Sequence, residues 1–268
     1  MQGEPALLRR LFSLEGKAAL VTGASGGIGQ ALARGLAEAG AIVGLHGTRV
    51  RELEQLRQQI ESRGGRALAL PADLGEVAAC RQLINDAHAG LGRLDILVNC
   101  AGINRRKPIA EVAEEDFEAV MAVNLRGLFF VSQAAQPIMR AQGGGKIINV
   151  GSVTSLDGLS DVSIYGATKA AVAQLTKTMA LEWARDNIQV NCLAPGFMMT
   201  PLTEGQLWGD DWRRQWLLSR IAAGRPGLPD ELVGAALLLA SPASSYLTGH
   251  TLVVDGGYLV GGSWQRED

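Results

Sequence analysis

Cysteine, histidine and aromatic residues are scarce in this sequence. Only three of 268 residues are cysteine, three are histidine, and 5% are aromatic. The cysteines, Cys80, Cys100 and Cys192, are odd in number and widely spaced, with no Cys-x-x-Cys pair. These features predict buried free thiols in a reducing compartment, without a disulfide framework. The histidines are not at metal-ligand spacing, which argues against a zinc site; they are His46, His88 and His250.

An excess of charge of one sign and long apolar runs are also missing. The 25 Lys and Arg residues are balanced by 27 Asp and Glu residues. The composition therefore has no electrostatic footprint for nucleic acid or an anionic membrane. No apolar run approaches the roughly 18 residues that span a bilayer. Segment 1–13 mixes leucines with Arg9 and Arg10, so we interpret it as a short tail or packing arm and expect a cytoplasmic protein.

Short apolar runs alternate with stretches whose apolar residues recur at helical spacing. The runs lack strict polar alternation, which is typical of strands buried on both faces. This order predicts one α/β domain over 14–268, doubly wound, with a seven-stranded parallel sheet flanked by helices on both faces. The predicted strands are 18–22, 41–46, 66–71, 94–99, 146–150, 189–193 and 251–255, and the clearest predicted helices are 28–39, 50–63 and 76–91.

The segment 197–227 breaks this alternation between the sixth strand and the next clear helix. A long irregular excursion at that place in a doubly wound sheet indicates a substrate lid. Trp208, Trp212 and Trp216 recur at every fourth position, which predicts one stripe of a helix. The stripe either caps an acyl or aromatic substrate or serves lid packing and subunit contact.

A glycine-rich segment directly follows the first predicted strand and opens the first helix. Gly23 permits a tight turn, Gly27 a close backbone approach and Gly29 helix–strand packing, so that free N–H groups face a pyrophosphate. The spacing is Gly-x-x-x-Gly-x-Gly, and here the sequence resembles the short-chain dehydrogenases/reductases, a Rossmann-type family. The predicted cofactor contacts in this loop are Gly23, Ser25, Gly26, Gly27, Ile28 and Gly29.

The end of the second strand bears on the choice of cofactor. An acidic residue there would accept hydrogen bonds from the ribose hydroxyls of NAD. The sequence has Gly47 at that place, followed by Thr48 and Arg49, and Arg49 is close enough to pair with a 2′-phosphate. This favours NADP(H). NAD(H) stays open, because Arg49 could instead begin a solvated helix beside Arg51.

Tyr165 and Lys169 are four residues apart in a helical pattern and therefore share one helix face. A nearby cation stabilises a phenolate, which is how a tyrosine becomes a usable acid or base. Ser152 stands just beyond the strand 146–150, at the sheet edge where ligands bind. With Asn124, these residues match the family's Asn-Ser-Tyr-Lys set. The resemblance implies that Ser152 binds the substrate oxygen, Tyr165 transfers the proton, Lys169 assists it and binds the nicotinamide ribose, and Asn124 holds a water.

The resemblance covers residues 14–258 and implies further cofactor contacts. Asp73 matches the family's adenine-contacting residue, and Cys100 takes the second place of an Asn-Asn-Ala-Gly motif that mainly supports the sheet. The remaining contacts implied are Leu74, Asn99, Ala101, Gly102, Pro195, Gly196, Phe197 and Thr200. The family also implies a homotetramer, with interfaces at the helices that carry Asn124 and Tyr165 and around 252–258.

These features together predict an NAD(P)-dependent oxidoreductase that interconverts a secondary alcohol and a ketone. Arg105 and Arg106 follow the Asn-Cys-Ala-Gly motif and could bind a substrate carboxylate, or they could be solvated surface charges. The chain resembles gluconate 5-dehydrogenases and 2-deoxy-gluconate 3-dehydrogenases, which favours a sugar acid bound by Arg105, Arg106, Ser152 and Trp208. The alternatives are a 3-oxoacyl-[acyl-carrier-protein] or general carbonyl reductase, suggested by segment 42–49, and a non-catalytic cofactor-binding scaffold.

Overall fold

The computed structural model describes residues 6–262, and a seven-stranded parallel sheet lies at its centre. The strands lie in the order β3-β2-β1-β4-β5-β6-β7, so the direction of winding reverses between β1 and β4. Ligands bind beyond the carboxyl ends of the strands at such a reversal. The strands are β1 (Ala18–Thr22), β2 (Ile42–Gly47), β3 (Arg66–Pro71), β4 (Ile96–Asn99), β5 (Gly145–Val150), β6 (Ile188–Pro195) and β7 (Thr251–Val254).

Helices cover both faces of the sheet. They are α1 (Ala6–Phe12), α2 (Gly27–Glu38), α3 (Val50–Ser62), α4 (Val77–Leu91), α5 (Glu114–Met121), α6 (Leu128–Ala141), α7 (Ser163–Trp183), α8 (Pro201–Thr203), α9 (Asp211–Arg220) and α10 (Val233–Ala240). Two π-helical turns occur at Ala122–Gly127 and Glu204–Trp208. Short 3₁₀ turns lie at Ile109–Glu111, Val153–Ser155, Ala184–Asp186, Pro229–Leu232, Pro242–Ser244 and Tyr258–Val260.

Two apolar layers sandwich the sheet. Val21 and Leu45 point into the layer formed with α2, α3 and α10, whereas Leu20 and Leu97 point into the layer formed with α4, α6 and α7. All residues of β1 and β6 are buried, as the missing polar alternation of these strands predicts. Burial of each such leucine or valine contributes about 1.5–3 kcal/mol. The predicted fold class is confirmed.

Two sequence-based expectations differ from the structure. Segment 1–13, interpreted as a short tail or packing arm, contains helix α1 over Ala6–Phe12, which was not predicted from the sequence. The prediction that Trp208, Trp212 and Trp216 lie on one stripe of a single helix is wrong. The π-helical turn ends at Trp208, and α9 begins only after Asp210, whose carboxylate accepts from the Arg213 N–H at 2.8 Å. This N-cap starts a new helix, so Trp208 is buried while Trp212 is 70% exposed.

The cysteines are free thiols, two of them buried and one half-buried. Burial raises the pKa of the Cys100 thiol to about 11, which keeps this thiol protonated at neutral pH. Within residues 6–262, no three His, Cys, Asp or Glu side chains converge as metal ligands. In the same part of the chain, no helix combines the length and apolarity that crossing a bilayer requires.

Candidate active site

The predicted catalytic side chains meet at the carboxyl edge of the sheet. Helix α7 carries Tyr165 and Lys169, and the Lys169 Nζ lies 5.5 Å from the Tyr165 ring centroid. The same Nζ donates to the carbonyl of Val150, the last residue of β5, at 2.7 Å. A Cβ built on Gly102 would lie 3.6 Å from that Nζ and 3.4 Å from Oδ1 of Asn124. The loop after β4 therefore runs directly past the lysine and the asparagine.

Ser155 joins the serine turn to helix α7 and was missed from the sequence. Its Oγ accepts from the N–H of Ser152 at 3.2 Å and donates to the carbonyl of Lys169 at 2.8 Å. The Ser152 Oγ accepts from the N–H of Thr154 at 3.1 Å. In the described part of the chain the Ser152 hydroxyl donates to no protein group, so its proton is available to a substrate oxygen. The Ser-x-x-Ser spacing of a helix cap was the signal for this bridge.

The side chain of Asn124 is hydrogen-bonded to the backbone of the neighbouring loop and to a side chain of α7. Its Oδ1 accepts from the Ile103 N–H at 2.8 Å, and its Nδ2 donates to the Ile103 carbonyl at 2.9 Å. Asn124 is completely buried and lies in the π-helical turn between α5 and α6. The Nδ2 also donates to the Thr168 Oγ1 at 3.3 Å, so both ends of the Asn124 amide are hydrogen-bonded to protein groups.

The glycine-rich loop has the geometry of a pyrophosphate cradle. Gly23 has φ +70°, and a Cβ on Gly29 would lie 2.2 Å from the Gly23 carbonyl oxygen. Helix α2 begins at Gly27 without a side-chain cap, which leaves its first N–H groups for a ligand. A Cβ on Gly27 would lie 3.1 Å from the Thr200 Cβ, so the start of the lid borders the loop. These residues fit a dinucleotide.

A buried histidine, not singled out from the sequence, holds this loop in place. The His46 Nδ1 accepts from the Gly23 N–H at 3.4 Å, while its Nε2 lies 3.1 Å from the Ala72 carbonyl and donates to it. These two partners define a neutral ring with the proton on Nε2. Burial lowers the pKa of His46 to about 4, opposed by the Ala72 hydrogen bond and the charge of Asp73. The ring therefore connects the pyrophosphate turn to the adenine side of the site.

Acidification is expected to loosen this connection. The folded-state pKa of His46 is lowered from 6.5 to about 4, so the stabilising contribution is complete above pH 6.5 and is lost as the pH falls towards 4. At full extent the loss is about 3 kcal/mol of unfolding free energy. Urea unfolding of the parent and of His46→Gln between pH 7 and 4 measures it: the parent should lose stability relative to the variant. Parallel pH curves would contradict the linkage.

The end of β2 lies against the glycine-rich loop. A Cβ on Gly47 would lie 2.6 Å from the Ser25 Oγ, so a side chain at this place would require the Ser25 hydroxyl to move. The Arg49 guanidinium donates to the Ser25 carbonyl and remains 56% exposed. Thr48 is exposed beside it, and Asp73 accepts from the Gly75 N–H at 2.9 Å. The Arg49 guanidinium therefore lies at the exposed edge of the site, in contact with the glycine-rich loop.

The Asn-Cys-Ala-Gly segment braces the sheet edge. The Thr22 Oγ1 accepts from the N–H groups of Cys100 and Ala101 at 3.0 and 3.1 Å. The Asn99 Nδ2 donates to Ser132 and Asn149, each at 2.9 Å. The bracing hydrogen bonds of Cys100 and Ala101 come from main-chain N–H groups, which explains why cysteine is accepted in the second place of the motif.

The segment 197–227 closes on itself and packs beside the serine turn. The Gly227 N–H donates to the Phe197 carbonyl at 3.0 Å, and the Met199 N–H donates to the Gly227 carbonyl at 2.7 Å. The Trp208 indole N–H is directed to the Met198 carbonyl at 3.4 Å, so Trp208 is a packing residue of the lid. The apolar cluster beneath the lid consists of Val153, Phe197, Leu207, Trp208, Leu217, Ile221 and Tyr258.

The two predicted anchoring arginines lie in different surroundings. Arg105 is exposed, whereas Arg106 is half-buried and its Nε is buried without a hydrogen-bond partner. Burial lowers the pKa of Arg106, as does the charge of Arg213, while Tyr165 and Asp161 act in the opposite direction. The structure therefore places Arg106, but not Arg105, within electrostatic reach of the tyrosine.

The chain belongs to the short-chain dehydrogenase/reductase family. The family profile described as enoyl-(acyl carrier protein) reductase matches residues 23–259, nearly the whole length. The protein is an NAD(P)-dependent oxidoreductase that interconverts a secondary alcohol and a ketone. This assignment excludes the alternative of a non-catalytic cofactor-binding scaffold.

Relatives with named sugar-acid substrates are similar over almost their entire length. The chain is 47% identical to 2-dehydro-3-deoxy-D-gluconate 5-dehydrogenase of Escherichia coli K12, over 92% of this chain and 97% of that protein. It is 44% identical to gluconate 5-dehydrogenase of Gluconobacter oxydans, over 93% and 97%. The crystal structure of a gluconate 5-dehydrogenase from Burkholderia cenocepacia with NADP and tartrate superposes with a TM-score of 0.91, at 44% identity, over 95% and 99%.

Proposed function

We propose that this enzyme uses NADP(H) to interconvert a hydroxyl and a keto group on a sugar acid of the gluconate or ketogluconate type. The carrying observation is the half-buried Arg106, whose Nε has no partner and whose pKa responds to the charge of Tyr165. A carboxylate is the natural partner of such a guanidinium. The sugar-acid relatives and the tartrate complex of the Burkholderia enzyme support the same substrate class.

The loop after β4 and the serine turn carry buried polar atoms without a partner, which a polyhydroxy acid satisfies better than an acyl chain. The Asn104 Oδ1 and the Thr154 Oγ1, like the Arg106 Nε, are buried without a partner. Each buried unsatisfied polar group costs about 1–3 kcal/mol. A polyhydroxy acid offers hydroxyl donors to Asn104 and Thr154 and a carboxylate to Arg106. A 3-oxoacyl chain offers none of these along its length, which disfavours the acyl-thioester alternative.

The residues at the sheet edge would divide the chemistry among them. Ser152 would donate its hydroxyl proton to the substrate oxygen, and Tyr165 would give a proton to that oxygen or remove one from it. Lys169 would stabilise the phenolate, and the main chain at Asn124 would hold the water behind Lys169. The nicotinamide supplies or accepts the hydride when bound.

The cofactor is proposed to be held along the whole carboxyl edge. The turn at Gly23 and the start of α2 would receive the pyrophosphate, and Lys169 would bind the nicotinamide ribose. Arg49 would pair with a 2′-phosphate, which agrees with the NADP in the Burkholderia complex. The other proposed contacts are Ser25, Gly26, Gly27, Ile28, Gly29, Thr48, Asp73, Leu74, Asn99, Ala101, Gly102, Tyr165, Pro195, Gly196, Phe197 and Thr200.

Arginine replacement tests the substrate class. Arg106→Ala should lower kcat/KM for 5-ketogluconate with NADPH by about 10- to 100-fold, because a charge-assisted hydrogen bond contributes about 1.5–3 kcal/mol. Arg105→Ala is the matched control, since its exposed side chain should change kcat/KM less than twofold. Initial rates at 340 nm measure both. Equal losses in the two variants, or parent activity confined to a 3-oxoacyl thioester or an aromatic ketone, would overturn the proposal.

We also propose that the enzyme forms a homotetramer and works in the cytoplasm. An apolar groove between α5, α6 and α7 is lined by Phe117, Met121, Leu125, Phe129, Phe130 and Leu175, which supports self-association there. The free thiols support a reducing compartment. Sedimentation equilibrium giving a monomer mass, or recovery of the enzyme in an oxidising compartment on cell fractionation, would exclude the respective proposal.

A further inference from the structure

The lid brings a second arginine towards the pocket of Arg106. Arg213 lies in the first turn of α9, where its N–H donates to Asp210 and its Nη1 donates to the Gln206 carbonyl at 3.1 Å. Leu217, four residues further on, is buried in the cluster that includes Val153, the neighbour of Ser152. Residues four apart share a helix face, so Arg213 lies on the side of α9 that meets the serine turn.

The neighbouring arginine on the same helix has a different environment. Arg214 forms an ion pair with Asp211 at 2.7 Å. Arg213 has no carboxylate within 4.0 Å among residues 6–262, and the same is true of Arg106. Of the two neighbouring arginines Arg213 and Arg214, Arg213 is therefore the one without a carboxylate partner in the described part of the protein.

Two guanidinium groups without a carboxylate partner in contact repel each other. Burial lowers the pKa of Arg106, the charge of Arg213 lowers it further, and Tyr165 and Asp161 oppose this only in part. An anion between the two groups would remove this repulsion and would also give the Arg106 Nε its missing acceptor. The arrangement is electrostatically incomplete without a bound carboxylate.

We propose that Arg213 is a specificity-determining residue that closes over the substrate carboxylate from the lid, opposite Arg106. This inference rests on the proposed sugar-acid function and extends it. The substrate anion would bind Arg106 on the fixed loop after β4 and Arg213 on α9, and so favour the closed lid. A neutral ketose of the same shape would fit the pocket without drawing the lid over itself.

The kinetic test compares a sugar acid with its neutral counterpart. L-Sorbose carries CH₂OH where 5-ketogluconate carries its carboxylate and is otherwise identical along the chain. Arg213→Ala should raise KM for 5-ketogluconate at least tenfold, with a smaller change in kcat, and leave kcat/KM for L-sorbose within twofold. Arg213→Lys should recover part of the loss. Arg214→Ala is the matched control and should behave as the parent. An unchanged KM in Arg213→Ala would overturn the proposal.

A binding measurement separates this proposal from the proposed function. Titration calorimetry of the NADPH-bound enzyme with tartrate, a hydroxy acid without a keto group to reduce, should show at least tenfold weaker binding in Arg213→Ala than in Arg214→Ala. Such a difference without turnover of 5-ketogluconate would support the arginine pair and refute the sugar-acid activity. Equal tartrate binding in the two variants, or none to the parent, would overturn the arginine pair.

Discussion

Tyr165→Phe is expected to lower kcat/KM for ketone reduction by about 10²- to 10⁴-fold, the contribution of a positioned general acid. The phenol is the group on α7 whose ring lies 5.5 Å from the buried Lys169 ammonium, beside the serine turn. Phenylalanine keeps the ring and its packing but removes the proton that must reach the substrate oxygen. Steady-state rates with NADPH and 5-ketogluconate measure the loss.

The chain offers a matched control for this substitution. Tyr246 is fully exposed and far along the sequence from the site, so Tyr246→Phe should retain the parent rate. NADPH binding, followed by fluorescence, should be nearly unchanged in Tyr165→Phe, which separates lost chemistry from lost folding. Parent-like turnover by Tyr165→Phe would refute the assignment of the proton to this residue.

Arg49→Ala is expected to remove most of the preference for NADPH. The Arg49 guanidinium lies against the glycine loop through the Ser25 carbonyl and is open to solvent on its outer side. A charge-assisted hydrogen bond to a phosphate contributes about 1.5–3 kcal/mol, so kcat/KM with NADPH should fall about 10- to 100-fold. With NADH, which lacks the 2′-phosphate, kcat/KM should change less than threefold. The ratio of the two values is the measurement.

Arg51→Ala is the control for the cofactor experiment. Arg51 is exposed in the first turn of α3, two residues from Arg49, and carries the same charge. It should leave the NADPH-to-NADH ratio within twofold of the parent. If Arg49→Ala and Arg51→Ala change the NADPH-to-NADH ratio equally, Arg49 contributes only to the general surface potential. If Arg49→Ala lowers kcat/KM equally with NADPH and NADH, the substitution has damaged the loop instead.

The sheet and the placing of Tyr165 and Lys169 on one helix face could be predicted because local patterns determine them. Apolar runs without alternation specify doubly buried strands, and Tyr165 and Lys169 share a face through the helical repeat alone. The glycine spacing specifies a turn that no side chain can replace, as the 2.2 Å approach at Gly29 shows. These inferences need only neighbours in the sequence.

The connections across the sheet could not be predicted because they depend on residues distant in sequence. His46 contacts Gly23 and Ala72 only after β1, β2 and β3 are aligned in register. The separation of Arg105 from Arg106 depends on where one loop turns against α7 and α9. The prediction of one tryptophan-bearing helix was wrong for a local reason. The spacing of the tryptophans indicates a helical repeat but not where a helix begins, and Asp210 caps the start of a new helix between Trp208 and Trp212.

Phe197 and Met199 pair with Gly227, so the two ends of the segment 197–227 lie side by side. The segment is also attached by the Ala223 N–H, which donates to the Gly256 carbonyl at 2.9 Å, and by packing against Val153 and Tyr258. Exposed positions of the segment, such as Trp212, can therefore vary without loosening these attachments. Buried positions such as Leu217 share a cluster with Val153, so a substitution there would be transmitted to the neighbourhood of Ser152.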